Sequence, residues 1–243
     1  MKIIITKLLD TVGLGSFLRP VIRCVREQSV LLARVPLLMR RARQIEAYFQ
    51  SHDVHMLHLG ASDKILSGWL NSDLEPTNNN MYLDATKRFP FADASLDFVF
   101  SEHFIEHIDR PDGERCMREI YRCLKPGGVM RVASPNLSRY VDLFRANLEP
   151  REIEYLRRFQ EKFHLSAISP CLALNHLVYN WGHRFLYDES ELVSLIRSAG
   201  FRAVSPTAVG KSDYPQLSQI EQHGKFYGDE MNEFETMVYE ATK

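Results

Sequence analysis

Short apolar runs alternate with polar stretches that carry helix signals from residue 54 onward. The runs of strand length cover residues 54–59, 69–74, 81–83, 96–100 and 129–133. The first three end in, or are followed directly by, a glycine or an acid. Strands that alternate with helices predict parallel βαβ units joined by right-handed crossovers.

Two helices are predicted between these strands, over residues 102–108 and 112–124. The second is expected to end at the Lys125-Pro126-Gly127-Gly128 segment, because proline cannot continue a helix and glycine permits a positive φ. Residues 139–187 are aromatic and helix-rich, without a clear strand pattern. We therefore interpret them as a helical insertion or lid.

The last third of the chain returns to alternating elements. Residues 188–199 begin with an acidic turn and predict a helix that ends at Gly200. Strands are predicted over 201–209 and 235–241, with a long loop or short helix between them. The whole pattern predicts an α/β fold.

The start of the chain differs in charge from the rest. The chain has 30 Lys and Arg against 31 Asp and Glu, a net charge of −1. Residues 1–50 hold nine Lys or Arg and three acids, so they carry +6 and the remainder carries −7. We predict a basic amphipathic helical extension over 1–52 and a second domain over 53–243.

Charge and hydropathy exclude several classes of protein and leave the partner of the extension open. Near-neutrality argues against a protein that coats nucleic acid with its whole surface. No uncharged apolar run reaches the roughly 18 residues of a membrane span, and the start is unlike a secretory signal, so we expect a cytoplasmic protein. Residues 1–50 predict either a solvated helix face or peripheral contact with anionic lipid on the inner face of the membrane.

The four cysteines show no C-x-x-C spacing of the kind found in zinc or redox sites. We predict reduced core thiols at Cys24, Cys116, Cys123 and Cys171.

Polar residues at the predicted strand ends point to a ligand site. Ligands of open parallel sheets bind beyond the carboxyl ends of the strands, near the point where strand order reverses. Gly60, Asp73 and Asp84 close the first three strands, and Ser101 and Glu102 close the fourth. One carboxylate can accept both hydroxyls of a ribose, so Asp73 suits a nucleoside. Each residue taken singly is equally typical of a turn or a helix cap.

Three segments carry a family resemblance. HLGASDKILSGWLNSDL (58–74), LDATKRFPFADASLDFVFSEHFIEHI (83–108) and REIYRCLKPGGVMRVASPNL (118–137) resemble the class I S-adenosylmethionine (SAM)-dependent methyltransferases. With NHLVYNWGHRFLYDESELVSLIRSAGF (175–201), they are most similar to a bacterial subgroup associated with surface-polysaccharide biosynthesis. The resemblance implies a Rossmann-like, mostly parallel seven-stranded sheet with an antiparallel C-terminal strand, and SAM as cofactor.

Carried over by position, the resemblance places the glycine motif at Gly60, the ribose-binding acid at Asp73 and the adenine-side acid at Asp84. The full implied cofactor set is Gly60, Ala61, Ser62, Asp73, Leu74, Asp84, Ala85 and Ser101. Ser62 stands where the family usually has a second glycine, so a backbone angle reserved for glycine would be strained there. Only twelve residues separate Gly60 from Asp73, which predicts a short or mostly irregular first crossover.

His103, Glu106 and His107 form an H-x-x-E-H motif, whose spacing would place them on one face of a helix. This spacing can bind a metal. The alternatives are that Glu106 or His107 caps and orients the helix, or that His103 is a base near neutral pH. The favoured interpretation has no metal.

We predict methyl transfer from SAM to a small-molecule, saccharide or glycolipid acceptor. His103 is the first candidate for a catalytic base, Glu102 the second, and His183 a third. The residues predicted to line the acceptor pocket are Asn175, Asn180, Trp181, Arg184 and Tyr187. A non-catalytic methyltransferase-like module that binds a membrane or partner is the alternative, whereas a nicotinamide dehydrogenase is disfavoured because G-x-G-x-x-G is absent.

Overall fold

The computed structural model describes residues 35–243. The chain groups into two units, one that ends at Ala47 and one that covers Tyr48–Lys243. Residues 35–51 form helix α1. Most of the predicted basic extension lies outside the described residues, so its lipid contact and the 52/53 boundary stay predictions. No helix within 35–243 combines the length and the apolar character needed to cross a membrane.

Seven strands within the described residues form one sheet. They are β1 (Met56–Leu59), β2 (Leu70–Asp73), β3 (Met81–Tyr82), β4 (Leu96–Glu102), β5 (Leu124–Pro135), β6 (Ala203–Thr207) and β7 (Thr236–Thr242). Their order is β3-β2-β1-β4-β5-β7-β6. The β1–β5 pairs are parallel, whereas β7 is antiparallel to both β5 and β6. The predicted Rossmann-like sheet with one antiparallel C-terminal strand is confirmed, and the strand order reverses between β1 and β4.

Helices cover the sheet and fill the predicted insertion. They are α2 (Arg110–Cys123), α3 (Leu137–Asp142), α4 (Pro150–Phe163), α5 (Pro170–Tyr179), α6 (Glu189–Ser198), α7 (His223–Tyr227) and α8 (Asp229–Glu235). Two 3₁₀ turns span Ile105–His107 and Pro215–Leu217. Helices α3–α5 make residues 139–187 helix-rich as expected, while the function of this segment as a lid stays a prediction.

Local sequence explains where helix α6 begins and ends. Asp188 caps its N-terminus, since the carboxylate accepts the Glu191 N–H at 2.7 Å. Gly200 follows the helix with a φ of +114°, and a Cβ there would meet the Tyr121 ring at 3.0 Å. The helix therefore stops at a position that both backbone angle and space reserve for glycine.

Three connections differ from the expected pattern or refine it. Strand β4 continues to Glu102, so the predicted helix 102–108 is wrong and only the Ile105–His107 turn forms. Residues 125–128 belong to β5, where a register shift accommodates them. The chain between β1 and β2 contains no helix, which confirms the expected short, irregular crossover.

A buried arginine ties the C-terminal loop to the middle of the sheet. Arg131 on β5 is fully buried, with Nε 2.6 Å from Glu221 and Nη1 2.6 Å from Glu240. The guanidinium also donates to the carbonyls of Ala208 and Lys211. Burial of a charge is tolerated only when its donors are satisfied, so this network fixes the loop that leads into α7.

The cysteine prediction holds only in part. Cys116 and Cys123 are buried, and burial raises their pKa values to about 12 and about 11. Cys171 is exposed, so its assignment to the core was wrong: it lies on the outer face of α5. Cys24 lies outside the described residues.

His58 on β1 is a buried, uncharged part of the core. Its Nδ1 lies 3.0 Å from Asn71 Oδ1, and its ring stacks on Phe100. Burial lowers the pKa of His58 to about 4. Between pH 6.5 and pH 4 an unfolded chain therefore binds a proton that folded His58 does not, and stability falls as pH falls through that window.

We expect His58→Gln, which keeps an N–H donor for Asn71 but cannot titrate, to remove part of this acid sensitivity. The loss of unfolding free energy between pH 7 and pH 5 should shrink by about 2 kcal/mol in urea titrations. The control His164→Asn changes an exposed histidine and should leave the loss unchanged. An equal loss in His58→Gln and the parent would contradict the prediction.

Candidate functional site

A first cavity lies at the carboxyl ends of β1, β2 and β3, and we call it the strand-end cavity. Its volume is about 310 Å³. Six of the eight predicted cofactor residues line it: Gly60, Ser62, Asp73, Leu74, Asp84 and Ala85. Ala61 and Ser101 are buried and do not line it. The cavity therefore lies where ligands of open parallel sheets bind.

Asp73 closes the loop between β1 and β2 across the cavity. Its Oδ2 accepts the Ser62 N–H and its Oδ1 accepts the Glu75 N–H, both at 2.9 Å. A carboxylate oxygen can accept two hydrogen bonds, so each oxygen keeps the capacity to accept a ligand hydroxyl. Ser62 has a φ of 46°, the left-handed backbone that the sequence suggested would be strained for a residue other than glycine.

Gly60 is fixed by both its backbone and its surroundings. Its φ is +66°, and a Cβ built there would lie 2.6 Å from Phe104 Cδ2. Phe104 also lines the strand-end cavity. Because Gly60 has no side chain, the Phe104 ring can pack against the end of β1 and form one wall of the cavity.

Asp84 holds the turn that follows β3. Its Oδ1 accepts hydrogen bonds from the Thr86 N–H and hydroxyl, at 3.1 and 2.6 Å. Both bonds use the same oxygen. Oδ2 can therefore accept a bond from a ligand in the cavity while the turn stays intact.

A second cavity of about 340 Å³ lies among α3, α4, α5, α7 and the end of β5, and we call it the helix-lined cavity. Its apolar walls are Pro135, Tyr140, Phe159, Leu177, Trp181 and Phe226. Its polar side chains are Ser62, Lys64, His103, His107, His183, His223 and Glu235. Ser62, His103 and His107 line both cavities, so the two spaces meet at these residues.

His103 stands at this junction in an uncommon backbone conformation. It directly follows β4 with a φ of 47°, where a branched or bulky side chain is rare. Its Nδ1 lies 3.4 Å from Glu106 Oε1 and its Nε2 3.1 Å from Thr236 Oγ1. Burial lowers the pKa of His103, but the carboxylates of Glu106, Glu235 and Glu102 together outweigh burial, and the net pKa is raised.

His223 stacks on His103 with ring centroids 3.8 Å apart. Its Nε2 lies 3.4 Å from Glu235 Oε1. Burial and the neighbouring His103 charge lower the pKa of His223 in spite of that carboxylate, so it is neutral at pH 7. Glu235 Oε2 accepts hydroxyl bonds from Tyr140 and Tyr155, which holds the carboxylate in place.

Glu102 anchors the loop that carries His223. Its carboxylate accepts the N–H groups of Gln222 at 3.0 Å and His223 at 2.8 Å, and Lys64 Nζ lies 3.4 Å away. Burial raises the pKa of Glu102, but Lys64 and the two N–H groups outweigh it and the net pKa is lowered. Glu102 lines neither cavity.

The predicted acceptor residues are brought together only in part. Trp181 lines the helix-lined cavity, as does His183. Asn175 and Asn180 are exposed and bond back to α5. Arg184 is exposed in an ion pair with Asp109. Tyr187 is fully buried next to Gly113. The structure does not bring these last four to the cavity.

The H-x-x-E-H motif is split by the fold. Because β4 runs to Glu102, the three residues do not share a helix face. His103 faces His223 and Glu235, whereas Glu106 and His107 group with His183.

Sequence reasoning missed His223, Glu235 and Lys64. Asp73 and Asp84 were predicted because ligands bind beyond the last residues of parallel strands. Strand β7 is antiparallel, and its first residue, Thr236, pairs with Pro135 at the end of β5. An acid just before an antiparallel strand was therefore the available signal for Glu235.

Comparison with known proteins matches the middle of the chain. Residues 69–132, from β2 into β5, match the family model described as a methyltransferase domain. Phosphoethanolamine N-methyltransferase 2 of Caenorhabditis elegans is 36% identical over 93 residues, which are 37% of this chain and 20% of that protein. The chain thus spans about a fifth of the length of this relative.

Solved structures are similar over most of the chain. A SAM-dependent methyltransferase from Archaeoglobus fulgidus is 17% identical, with a TM-score of 0.45, over 86% of this chain and 94% of that one. Phosphoethanolamine N-methyltransferase 2 of Haemonchus contortus, solved with phosphomonomethylethanolamine and S-adenosylhomocysteine, is 14% identical, with a TM-score of 0.42, over 78% of this chain and 49% of that one.

Gly60→Ala should destabilise the fold more than Gly68→Ala. Both positions have a positive φ, but an added Cβ at Gly68 meets its nearest atom at 3.8 Å, whereas at Gly60 it collides with Phe104. Overpacking adds about 1–3 kcal/mol to the backbone cost, so we expect at least about 1 kcal/mol between the two variants in urea unfolding. Adding Phe104→Ala to Gly60→Ala should recover part of it, and equal losses in both single variants would refute the steric account.

Proposed function

We propose that this chain is a SAM-dependent methyltransferase that binds SAM in the strand-end cavity and a small-molecule acceptor in the helix-lined cavity. One observation carries the proposal: a cavity lined by the implied cofactor residues meets a second, mostly apolar cavity at Ser62, His103 and His107. Methyl transfer requires donor and acceptor to lie next to each other, and two adjoining cavities would allow this.

The residues of the strand-end cavity fit the cofactor. Asp73 would accept the ribose hydroxyls with the free capacity of its two oxygens, and Asp84 would bind on the adenine side through Oδ2. The backbone from Gly60 to Ser62 would line the methionine part of the molecule. When bound, SAM supplies a methyl group on a sulfonium, which an acceptor lone pair attacks.

The helix-lined cavity supplies orientation, exclusion of water and a base. Aromatic and aliphatic walls keep water from the acceptor. We assign the base to His223, which is neutral at pH 7 and lines the cavity. Glu235 Oε1, 3.4 Å from its Nε2, would stabilise the imidazolium that forms when the ring takes the acceptor's proton.

His103 and Glu102 then have other roles than those first expected. Glu106 raises the pKa of His103 and so favours the charged form of that ring, and a charge on His103 disfavours a second charge on the stacked ring of His223. Glu102 is occupied by two backbone N–H groups and Lys64, so it positions His223 and does not accept a proton.

The acceptor is proposed to offer a hydroxyl or an amine. Stacking surfaces such as Trp181, Tyr140 and Phe226 suit a saccharide ring, in keeping with the resemblance to the polysaccharide-associated subgroup. The C. elegans relative is named for methylation of an amine, phosphoethanolamine. A screen for S-adenosylhomocysteine release with glycolipid, free-sugar and phosphorylated-amine acceptors separates these classes.

A non-catalytic methyltransferase-like module is the second candidate. Its support is Ser62, a residue with a side chain in the left-handed conformation where the family usually has glycine. Such a residue costs about 1–2 kcal/mol in backbone strain, which is carried in the cofactor loop itself.

Calorimetry with SAM decides between the two candidates. The parent should bind with micromolar affinity, and Asp73→Ala should weaken binding at least about tenfold because the ribose acceptor is lost. The control Asp63→Ala removes an exposed acid that lines neither cavity and should bind like the parent. A parent protein that binds neither SAM nor S-adenosylhomocysteine would favour the module.

Removal of the base tests the catalytic assignment. With an acceptor from the screen, His223→Ala should lower turnover about 100-fold or more while leaving SAM affinity intact. In the parent, kcat/KM should fall as pH falls through the lowered pKa of His223, because protonation removes the lone pair. The control is His164→Ala, an exposed histidine. Unchanged turnover in His223→Ala would remove it as the base.

A further inference from the structure

We propose that Glu106, His107 and His183 form a divalent-cation site of the zinc type around His107, which borders both cavities. Each residue offers one ligand atom, and the three atoms lie within 4.8 Å of one another. Glu106 and His107 come from the 3₁₀ turn after β4, and His183 comes from the loop after α5. The fold thus brings together ligands that are far apart in the chain.

The distances allow a metal after small side-chain rotations. Nitrogen and oxygen ligands bind zinc at about 2.0–2.2 Å in a tetrahedron, which places them about 3.3–3.5 Å from one another. Each ligand atom therefore has to move by about 1 Å. His107 and His183 already contact each other edge to face, with ring centroids 4.8 Å apart.

The tautomer of His183 is fixed in the form that binds metal. Its Nδ1 lies 2.7 Å from the Leu177 carbonyl oxygen. A carbonyl only accepts, so Nδ1 carries the proton and Nε2 carries the lone pair. A backbone carbonyl behind one ring nitrogen is the usual support for a metal-binding histidine.

Glu106 has a buried oxygen without a hydrogen bond. The side chain is fully buried, and Ser134 Oγ donates to its Oε2 at 3.2 Å. Oε1 has no hydrogen bond within the described residues, and it faces His103 Nδ1 at 3.4 Å in a long ion-pair contact. A buried carboxylate oxygen held only by this long contact retains the capacity to bind a further ligand.

The neighbouring group of His103, His223 and Glu235 is less suited to a metal. The three could also approach one ion. Both ring nitrogens of His103 already have partners, in Glu106 and Thr236. Glu235 Oε2 accepts two tyrosine hydroxyls and its Oε1 faces His223. This group is a closed hydrogen-bond network.

The donor set indicates the metal and where its open position lies. Two imidazoles and one carboxylate are typical of zinc sites that keep one position for water or substrate, whereas magnesium prefers oxygen ligands and water. His107 lines both cavities and His183 lines the helix-lined cavity. The open position would therefore face the acceptor. Binding of the acceptor's oxygen, nitrogen or sulfur there rests on the proposed function, while metal binding itself does not.

Metal binding is tested on the full chain without a histidine tag, after treatment with a chelator. Titration with ZnCl₂ alone should show one ion per chain with a dissociation constant of micromolar or tighter. His107→Ala and His183→Ala should each weaken zinc binding at least about tenfold, and the double variant should abolish it. The controls His223→Ala and His164→Ala should bind zinc like the parent.

Cobalt(II) gives a second readout. It should produce the visible absorption of a four-coordinate site in the parent and lose it in His183→Ala. His183→Gln, with thermal unfolding measured alongside, shows whether the fold persists. No zinc above background in the parent, or loss in His223→Ala with retention in His183→Ala, would overturn the assignment. SAM calorimetry is run separately, so a failed metal site and a failed cofactor site give different results.

Discussion

The Glu102 carboxylate is the contact on which the helix-lined cavity depends. It lies buried at the end of β4 and draws together the backbone of Gln222 and His223 and the ammonium of Lys64. A buried charge without partners has a very unfavourable free energy, so separating these segments from Glu102 would destabilise the fold. One anion thereby sets the distance between the sheet edge and the loop that carries His223.

Arg131 complements this anchor on the other side of the same loop. Glu102 holds the loop where it enters α7, and Arg131 holds its earlier part through Glu221 and two carbonyls. Both charges lie on adjacent strands of the parallel sheet, β4 and β5. The C-terminal loop is therefore tied to the sheet by hydrogen bonds to Glu102 and by the ion pair and hydrogen bonds of Arg131, in addition to its own 3₁₀ turn at Pro215–Leu217.

The strands and the residues at the ends of parallel strands could be predicted from local sequence patterns. The residue that the antiparallel strand β7 places at the site could not. Alternating apolar runs predicted the parallel βαβ units, the family resemblance supplied the seven-stranded sheet with its antiparallel strand, and the strand-end rule located Gly60, Asp73 and Asp84. Glu235 was not predicted because β7 is antiparallel, so the beginning of β7, and not its end, lies at the site. Helix periodicity also placed His103 on a helix, which was wrong. In the structure, pairing with β5 extends β4 to Glu102, and His103 turns the chain in a left-handed backbone conformation.

If SAM and an acceptor occupy the two cavities as proposed, the wall that the cavities share links their binding thermodynamically. Ser62, His103 and His107 border both spaces, so a molecule that reorients any of them in one cavity alters the other. Linkage is reciprocal: whatever factor the cofactor contributes to acceptor affinity, the acceptor contributes to cofactor affinity. In the proposed function, conversion of SAM to S-adenosylhomocysteine would remove the sulfonium charge beside this wall. Release of one product would thereby be coupled to release of the other.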